Sequence, residues 1–430
     1  MRKNLVELDL EHIWHPCSQM KDYERLPLIP IKRGKGVYLY DFDDKAYIDN
    51  ISSWWVNIFG HSNEYINSKI QKQLEKLEHV IFAGFTHEGA IELSQKLVEI
   101  TSPNLQKIFF ADNGSSAVEV ALKMSFHYFK NKGIEKSYFL SLTNSYHGET
   151  IGALSVGDVS LYKDTYAPLL INNIQTPVPK DKSKEATKEA LLALEEILEK
   201  HHKKISAFII EPLIQGAGSM HMYSPEYLKG ARELCTRFGV HLILDEIMTG
   251  FGRTGSMFAY EQAGIEADFL CLSKGLTGGY LPLAVVLTTN EVYSAFYCDY
   301  HKHKAFLHSH SYTANPLSCA AALATLELFE KNKQIEKNKE TSKYIAHKLE
   351  AFKTLSNIQN IRQTGMVAAF DIKAPLEQRV GLKVYEYGLE NGVILRPLGN
   401  TIYFMPPYVI TKKELDKVFK VAYEAVETLF

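Results

Sequence analysis

Between residues 107 and 289, short apolar runs of strand length alternate with longer amphipathic stretches, and this alternation limits the chain to few architectures. The runs are KIFFAD (107–112), SYFLSL (137–142), ISAFIIE (205–211), HLILDE (241–246), FLCLS (269–273) and LPLAVVLTT (281–289). Within them IFF, AFII and LIL are apolar at every position, so neither face of such a strand meets water. The stretch after the first run repeats Ala117, Val120, Ala121, Met124 and Tyr128 at helical spacing, and EATKEALLALEEILEKHH (185–202) is a polar helix. Strands alternating with helices predict an α/β fold around a mostly parallel sheet covered on both sides.

Past about residue 330 the texture becomes α+β. A charged helix is expected over roughly 330–353, then GMVAAFDI, a helix near 378–390, the strand-like VILRPLG, TIYFMPP, and a last helix opened by Thr411 with Glu414 as a capping box. The expected division is an N-terminal segment (1–57) that contains the hairpin-like VYLYDFDDKAYIDN and packs with the small domain, a large domain (58–325), and a small C-terminal domain (326–430).

Composition removes several classes of function. With 46% hydrophobic residues the chain can build a large core and is unlike a disordered one. Lys and Arg number 48 against 50 Asp and Glu, so no basic footprint points to nucleic acid. No apolar run approaches the roughly 18 residues of a membrane-spanning helix. After Arg2 and Lys3, the acids Glu7, Asp9 and Glu11 interrupt any apolar stretch, against a signal peptide. Cys17, Cys235, Cys271, Cys298 and Cys319 lack C-x-x-C spacing, which fits a reducing cytoplasm and argues against a disulfide scaffold or zinc site.

Chemistry concentrates where strands end. In FFADNGSSAVEVALKM a strand stops near Asp112, Asn113-Gly114-Ser115-Ser116 turns, and a helix begins at about Ala117. Free N–H groups at a helix start, with serine hydroxyls, suit an anion such as phosphate. The alternative is an ordinary cap by Ser115 or Ser116. Gly250-Phe251-Gly252-Arg253-Thr254-Gly255 satisfies the dinucleotide spacing G-x-G-x-x-G, but five residues separate it from the strand and no clean helix follows. Asp245 and Lys274 stand at the carboxyl ends of two predicted strands, where parallel α/β sheets place ligands. A lysine there suits a Schiff base, and an aspartate nearby suits a protonated pyridine nitrogen. At ~4 Å and an effective dielectric near 20, such a pair is worth about 4 kcal/mol, or roughly three pKa units. A structural Asp–Lys ion pair is the alternative. Tyr146-His147-Gly148-Glu149 and Glu211-Pro212 with Gln215-Gly216 follow two further strands, and together these segments suggest pyridoxal phosphate.

Taken in order, ADNGSSAVEVALKM, YHGET, EPLIQGAG, LILDEIMTGFGRTG, CLSKGLTGGYLPL and HSYTANPLSCAAA resemble the class III (ω-type) aminotransferases of fold type I, over nearly the whole chain. IWHPCSQM, ISSWWVNIFGH, HVIFAGFTHE and ILRPLGNTIYFMPPY are similar to the branch that aminates 8-amino-7-oxononanoate in biotin synthesis with S-adenosylmethionine as donor. The resemblance implies a pyridoxal-phosphate-dependent transferase with a seven-stranded, mostly parallel sheet in its large domain. It also implies a cytoplasmic homodimer with shared active sites, and ping-pong exchange through pyridoxamine phosphate. Lys274 would form the Schiff base and carry the proton between the amine Cα and C4′ of the cofactor. Asp245 would hold the pyridinium, with Tyr146 on one ring face and Ile247 on the other. Gly114 and Ser115 would bind the phosphate, joined by Ser311 of the partner subunit. Trp54 and Trp55 would wall the substrate pocket beside Tyr403, and Arg396 would meet the keto-acid carboxylate. Arg253 would belong to the same neighbourhood.

Two positions depart from that pattern. Cys17 follows His15-Pro16 where the family usually has an aromatic residue, and His308-Ser309-His310-Ser311 stands where many adenosylmethionine users have Gly-Pro-Thr. Lysine therefore stays open as the amino donor, as do ornithine, 4-aminobutyrate or β-alanine type activities. Outside the class stand a dehydrogenase resting on Gly250–Gly255, a non-catalytic binding protein, and a metal site at His301, His303, His308 and His310.

Overall fold

Residues alternate sides along the central strands. Phe208, Ile210, Leu242, Leu244, Leu270 and Leu272 enter one hydrophobic cluster, while Ala207, Ile209, Ile243, Phe269 and Cys271 enter a second on the opposite face. Continuous apolar runs are what a sheet with two dry faces requires. The computed structural model describes residues 4–26 and 28–430, so Arg2 and Lys3 lie outside the described residues.

The sheet has seven strands, in the order Leu105–Ala111, Ala284–Thr289, Phe269–Leu272, His241–Asp245, Ile205–Ile210, Tyr138–Leu142, Asn173–Thr176. Four pairings are parallel, and Ala284–Thr289 runs antiparallel to both its neighbours. The edge strand Asn173–Thr176 matches none of the six apolar runs: three of its four residues are only half-buried, so an edge position left it little hydrophobic signal.

The helix Gly114–Asn131 begins three residues before the expected Ala117. Its cap is Asn113, whose side chain accepts from Ser116 N at 3.0 Å, so the serine caps considered from sequence are not the ones used. The single charged helix expected near 330–353 is instead Pro316–Asn332 followed by Gln334–Leu349, broken at Lys333 with φ 48°.

A second sheet pairs Ile358–Thr364, Val367–Ile372 and Thr401–Phe404, all antiparallel. VILRPLG is no strand of it. Instead Ile394 N donates to Ile48 O and Ile48 N to Gly392 O, both at 2.9 Å, tying residues 392–394 to a third sheet of Ile31–Lys35, Tyr38–Asp41 and Ala46–Ile48. Met405 N also donates to Asn50 O at 2.9 Å, so the N-terminal strands are stitched to the C-terminal ones at two places. Among the described residues no helix is long and apolar enough to cross a membrane.

The last helix, Lys412–Leu429, carries the capping box read from sequence: Thr411 and Glu414 each accept from the other's backbone N–H. Thr411→Ala should lower unfolding stability by about 1 kcal/mol, measured by chemical denaturation. An unchanged midpoint would mean that packing alone sets this helix start.

Candidate functional site

Asp245 closes the strand His241–Asp245, paired in register with Cys271 on the neighbouring strand, and its side chain is buried. The ring N–H at Nδ1 of His147 donates to Asp245 Oδ2 at 2.7 Å, and Ile247 N donates to Oδ1 at 3.1 Å. Both oxygens are thereby oriented. His147 is itself buried, and its Nε2 has no hydrogen-bond partner.

Lys274 follows the adjacent strand by two residues and takes a left-handed backbone, φ 46°. Burial lowers its pKa to about 8, against the opposing pull of the Asp245 and Glu211 carboxylates. Its Nζ lies 4.5 Å from the Trp55 ring centroid. Glu211, one residue past a third strand, accepts from Tyr146 N at 3.0 Å and Gly216 N at 2.9 Å, and burial raises its pKa to about 7. It staples two strand-end loops together.

At the start of the helix Gly114–Asn131, Ser115 Oγ accepts from Thr150 N at 3.1 Å and lies 2.8 Å from Thr150 Oγ1. A Cβ on Gly114 would stand 3.0 Å from the Ile247 side chain, and one on Gly148 (φ 122°) would stand 2.3 Å from Ser115 Oγ. Gly114 and Gly148 thus let the chain pack closely around Ser115 at the helix start, where backbone N–H groups and hydroxyls make a cradle suited to an anion such as phosphate. Tyr146 stands beside it, its hydroxyl donating to Glu149 Oε1 at 3.0 Å and its pKa raised by burial.

The turn that carries Trp54 and Trp55 is built on strained backbone. Ser52, Ser53, Trp54 and Trp55 have φ of 51°, 45°, 70° and 75°. A left-handed conformation costs an L-residue about 1–2 kcal/mol, so four in succession need outside support. Trp55 is buried, donates from Nε1 to Tyr403 OH at 3.1 Å, and meets that ring edge-on with centroids 6.3 Å apart. Trp54 is 41% exposed, with the Arg396 guanidinium 4.6 Å from its ring centroid. Arg396 also donates to Cys17 O at 3.4 Å. Buried Arg253 donates to Pro406 O at 2.9 Å and Trp55 O at 3.3 Å, so its guanidinium ties the tryptophan turn to the chain after Thr401–Phe404.

Direct contacts thus join Lys274, Trp55, Tyr403 and Arg253 into one group, Asp245, Ile247 and Gly114 into a second, and Trp54 with Arg396 into a third. Ser115 and Tyr146 stand at the cradle. Ser311 lies exposed in a turn ahead of the helix Pro316–Asn332. Sequence reasoning gave no role to His147, Glu211, Glu149 or Thr150. The signal was present, since Glu211 ends a predicted strand and the other three fall within eight residues of another's end, but polar residues there are ordinary. The segment Gly250–Gly255 is a series of turns with no helix opening from it, unlike a dinucleotide fingerprint.

A mostly parallel sheet that presents a lysine, an oriented aspartate and an anion cradle along one rim defines the fold type I transferases. The chain belongs to the class-III aminotransferases: a family model described as Aminotransferase class-III matches residues 19–426. It is 55% identical over 434 aligned positions to the adenosylmethionine-8-amino-7-oxononanoate aminotransferase of Helicobacter pylori, covering 100% of this chain and 99% of that protein. The crystal structure of the enzyme of that name from Methanocaldococcus jannaschii superposes with a TM-score of 0.95 at 38% identity, covering 99% of this chain and 98% of the other. A pyridoxal-phosphate-bound amine transaminase from an uncultivated Pseudomonas species gives a TM-score of 0.91 at 29% identity, over 97% and 98% of the two chains.

Because the folded pKa of Lys274, about 8, lies below the ordinary 10.5, the unfolded chain binds more protons between those values and stability rises with pH there. In cofactor-free protein, Lys274→Met should stabilise at pH 7, and the gain should shrink as pH rises from about 8 to 10.5. Denaturation series at each pH measure this; a gain independent of pH would mean that the amine is not desolvated.

Proposed function

We propose that the protein transfers an amino group from S-adenosylmethionine to the ketone of 8-amino-7-oxononanoate, in biotin synthesis, using pyridoxal phosphate held at this rim. The observation that carries the chemistry is Lys274: a lysine made easy to deprotonate by burial, within electrostatic reach of an aspartate whose two oxygens are already oriented. The substrates rest on the names of relatives that match end to end, among them one at 55% identity.

The residues fit the cofactor. The cradle at Gly114 and Ser115 suits its phosphate, with the Thr150 hydroxyl beside it. When bound, pyridoxal phosphate supplies an aldehyde that takes up the amine and an electron sink for the bond broken at the amine carbon. Asp245, aimed by His147 and Ile247 N, keeps a proton on the pyridine nitrogen. Tyr146 and Ile247 would hold the ring between them. Lys274 Nζ moves the proton between the amine Cα and C4′, and its lowered pKa places neutral amine within reach of physiological pH.

Trp54 and Trp55 wall the substrate, with the Tyr403 hydroxyl fixing the inner indole. Arg396, lying on Trp54, meets the carboxylate of the keto-acid. Arg253 acts on substrate indirectly, by holding the carbonyl of Trp55. In this reading the N-terminal segment (1–57) and the small domain (326–430) carry the substrate wall, and the large domain (58–325) carries the cofactor. The enzyme works in the cytoplasm as a homodimer, Ser311 of the partner subunit completing each phosphate cradle.

Product formation from the two substrates tests the assignment; lysine as the effective donor would keep the pathway and replace S-adenosylmethionine. Lys274→Ala should cut turnover by at least about 100-fold to 10,000-fold, the range for losing a positioned acid–base. Appreciable turnover would remove Lys274 from its role. Arg396→Ala should weaken the keto-acid half-reaction about 10- to 100-fold, the cost of a lost charged hydrogen bond, and spare the donor half. Single-turnover kinetics separate the halves, and an equal loss in both would contradict the carboxylate role.

A further inference from the structure

The left-handed turn at Ser52–Trp55 contains no glycine, although glycine is the residue that tolerates positive φ without penalty. Such a conformation persists only where its surroundings over-determine it. Part of that support comes from the C-terminal strands: Ser52 Oγ donates to Met405 O at 2.7 Å, and Asn50 Nδ2 to Tyr403 O at 3.2 Å. Those bonds hold the turn's entrance. Its middle is held by Asp49.

Asp49 is fully buried. Its Oδ1 accepts from Ser53 N at 2.9 Å, and its Oδ2 accepts from Ser53 Oγ at 2.7 Å and His61 Nε2 at 2.9 Å. The other ring nitrogen, His61 Nδ1, lies 3.1 Å from Asn57 Nδ2. An amide N–H donating to Nδ1 leaves the ring proton on Nε2, the tautomer that donates to Asp49. A buried carboxylate thus receives three donors, two of them from the second residue of the strained turn. The residues that follow Ser53 are Trp54, lying under Arg396, and Trp55, beside Lys274.

We propose that Asp49 is a positioning residue that, braced by His61, holds this turn in its left-handed form and so aims both indoles into the site. The proposal rests on the reading of Trp54 and Trp55 as the substrate wall. Without the carboxylate, Ser53 relaxes to negative φ, Trp55 leaves Lys274 and Tyr403, and Trp54 leaves Arg396.

The test uses cofactor-loaded protein carrying Trp14→Phe, so that tryptophan emission comes from Trp54 and Trp55 alone; Trp14 is 82% exposed, and this single variant is the reference for every readout. Asp49→Ala is expected to raise acrylamide quenching of that emission and to raise KM for 8-amino-7-oxononanoate by about tenfold or more, with a smaller change in kcat. Adding Ser53→Gly, which removes the strain that Asp49 offsets, is expected to restore both readouts. A folded Asp49→Ala protein with unchanged quenching and KM overturns the proposal, as does a failure of Ser53→Gly to restore either. If Asp49→Ala does not fold, Asp49→Asn takes its place: it keeps an acceptor for Ser53 N, an intermediate shift is expected, and wild-type values overturn the proposal. Quenching does not depend on which amine and ketone are accepted, so a wrong substrate assignment leaves that arm standing.

Discussion

The hydrogen bond from His147 to Asp245 is buried at the end of a strand that is itself dry on both faces. A carboxylate there is tolerable only with partners, and both of its oxygens have them. Fixing Asp245 fixes what lies around it. Ile247, which donates to it, packs within reach of Gly114 and so sets one side of the anion cradle. His147 adjoins Tyr146, whose backbone N–H is fastened to Glu211. The geometry of the rim therefore depends on one buried hydrogen bond, and the sheet beneath supplies the rigidity that keeps it in place.

Burial does opposite things to Glu211 and Lys274 at this rim. It pushes Glu211 up to about 7 and brings Lys274 down to about 8, so groups that are ordinarily far apart in pKa are brought near neutrality. For Lys274 that is the condition for proton transfer. Glu211 has a constructional part, since its oxygens receive two backbone N–H groups. Glu246 plays the same part next door: raised to about 8 by burial, it accepts from Ala259 N and Tyr260 N at 2.8 Å each. It organises the glycine-rich turns that imitate a dinucleotide motif. Gly250 is required there by a backbone approach, because a Cβ would stand 2.7 Å from Glu246 O.

Much of this was legible in the sequence for a physical reason. Strands buried on both faces leave unbroken apolar runs, and Asp245 and Lys274 stand out because a charge at the end of such a run needs a purpose. Two of the edge strands, Asn173–Thr176 and Ile358–Thr364, were missed because their exposed sides keep polar residues. VILRPLG misled in the other direction: its apolar run is buried against Ile48 through a bridge rather than in a sheet of its own. Arg253 was expected in the neighbourhood of the site, and it lies there with its guanidinium facing two backbone carbonyls, a bracing part that no sequence signal announced. No periodicity announces a left-handed turn, so the support for Trp54 and Trp55 by Asp49 became visible only in three dimensions.

The central claim is that the lysine at the end of the strand Phe269–Leu272 is the one that takes the cofactor. Reducing the pyridoxal-phosphate-loaded protein with borohydride and mapping the modified residue by peptide mass spectrometry tests it most directly. The expected result is a pyridoxyl group on Lys274 alone. Modification at another lysine, or none after loading, would contradict the claim and leave the Asp245–Lys274 arrangement a structural one.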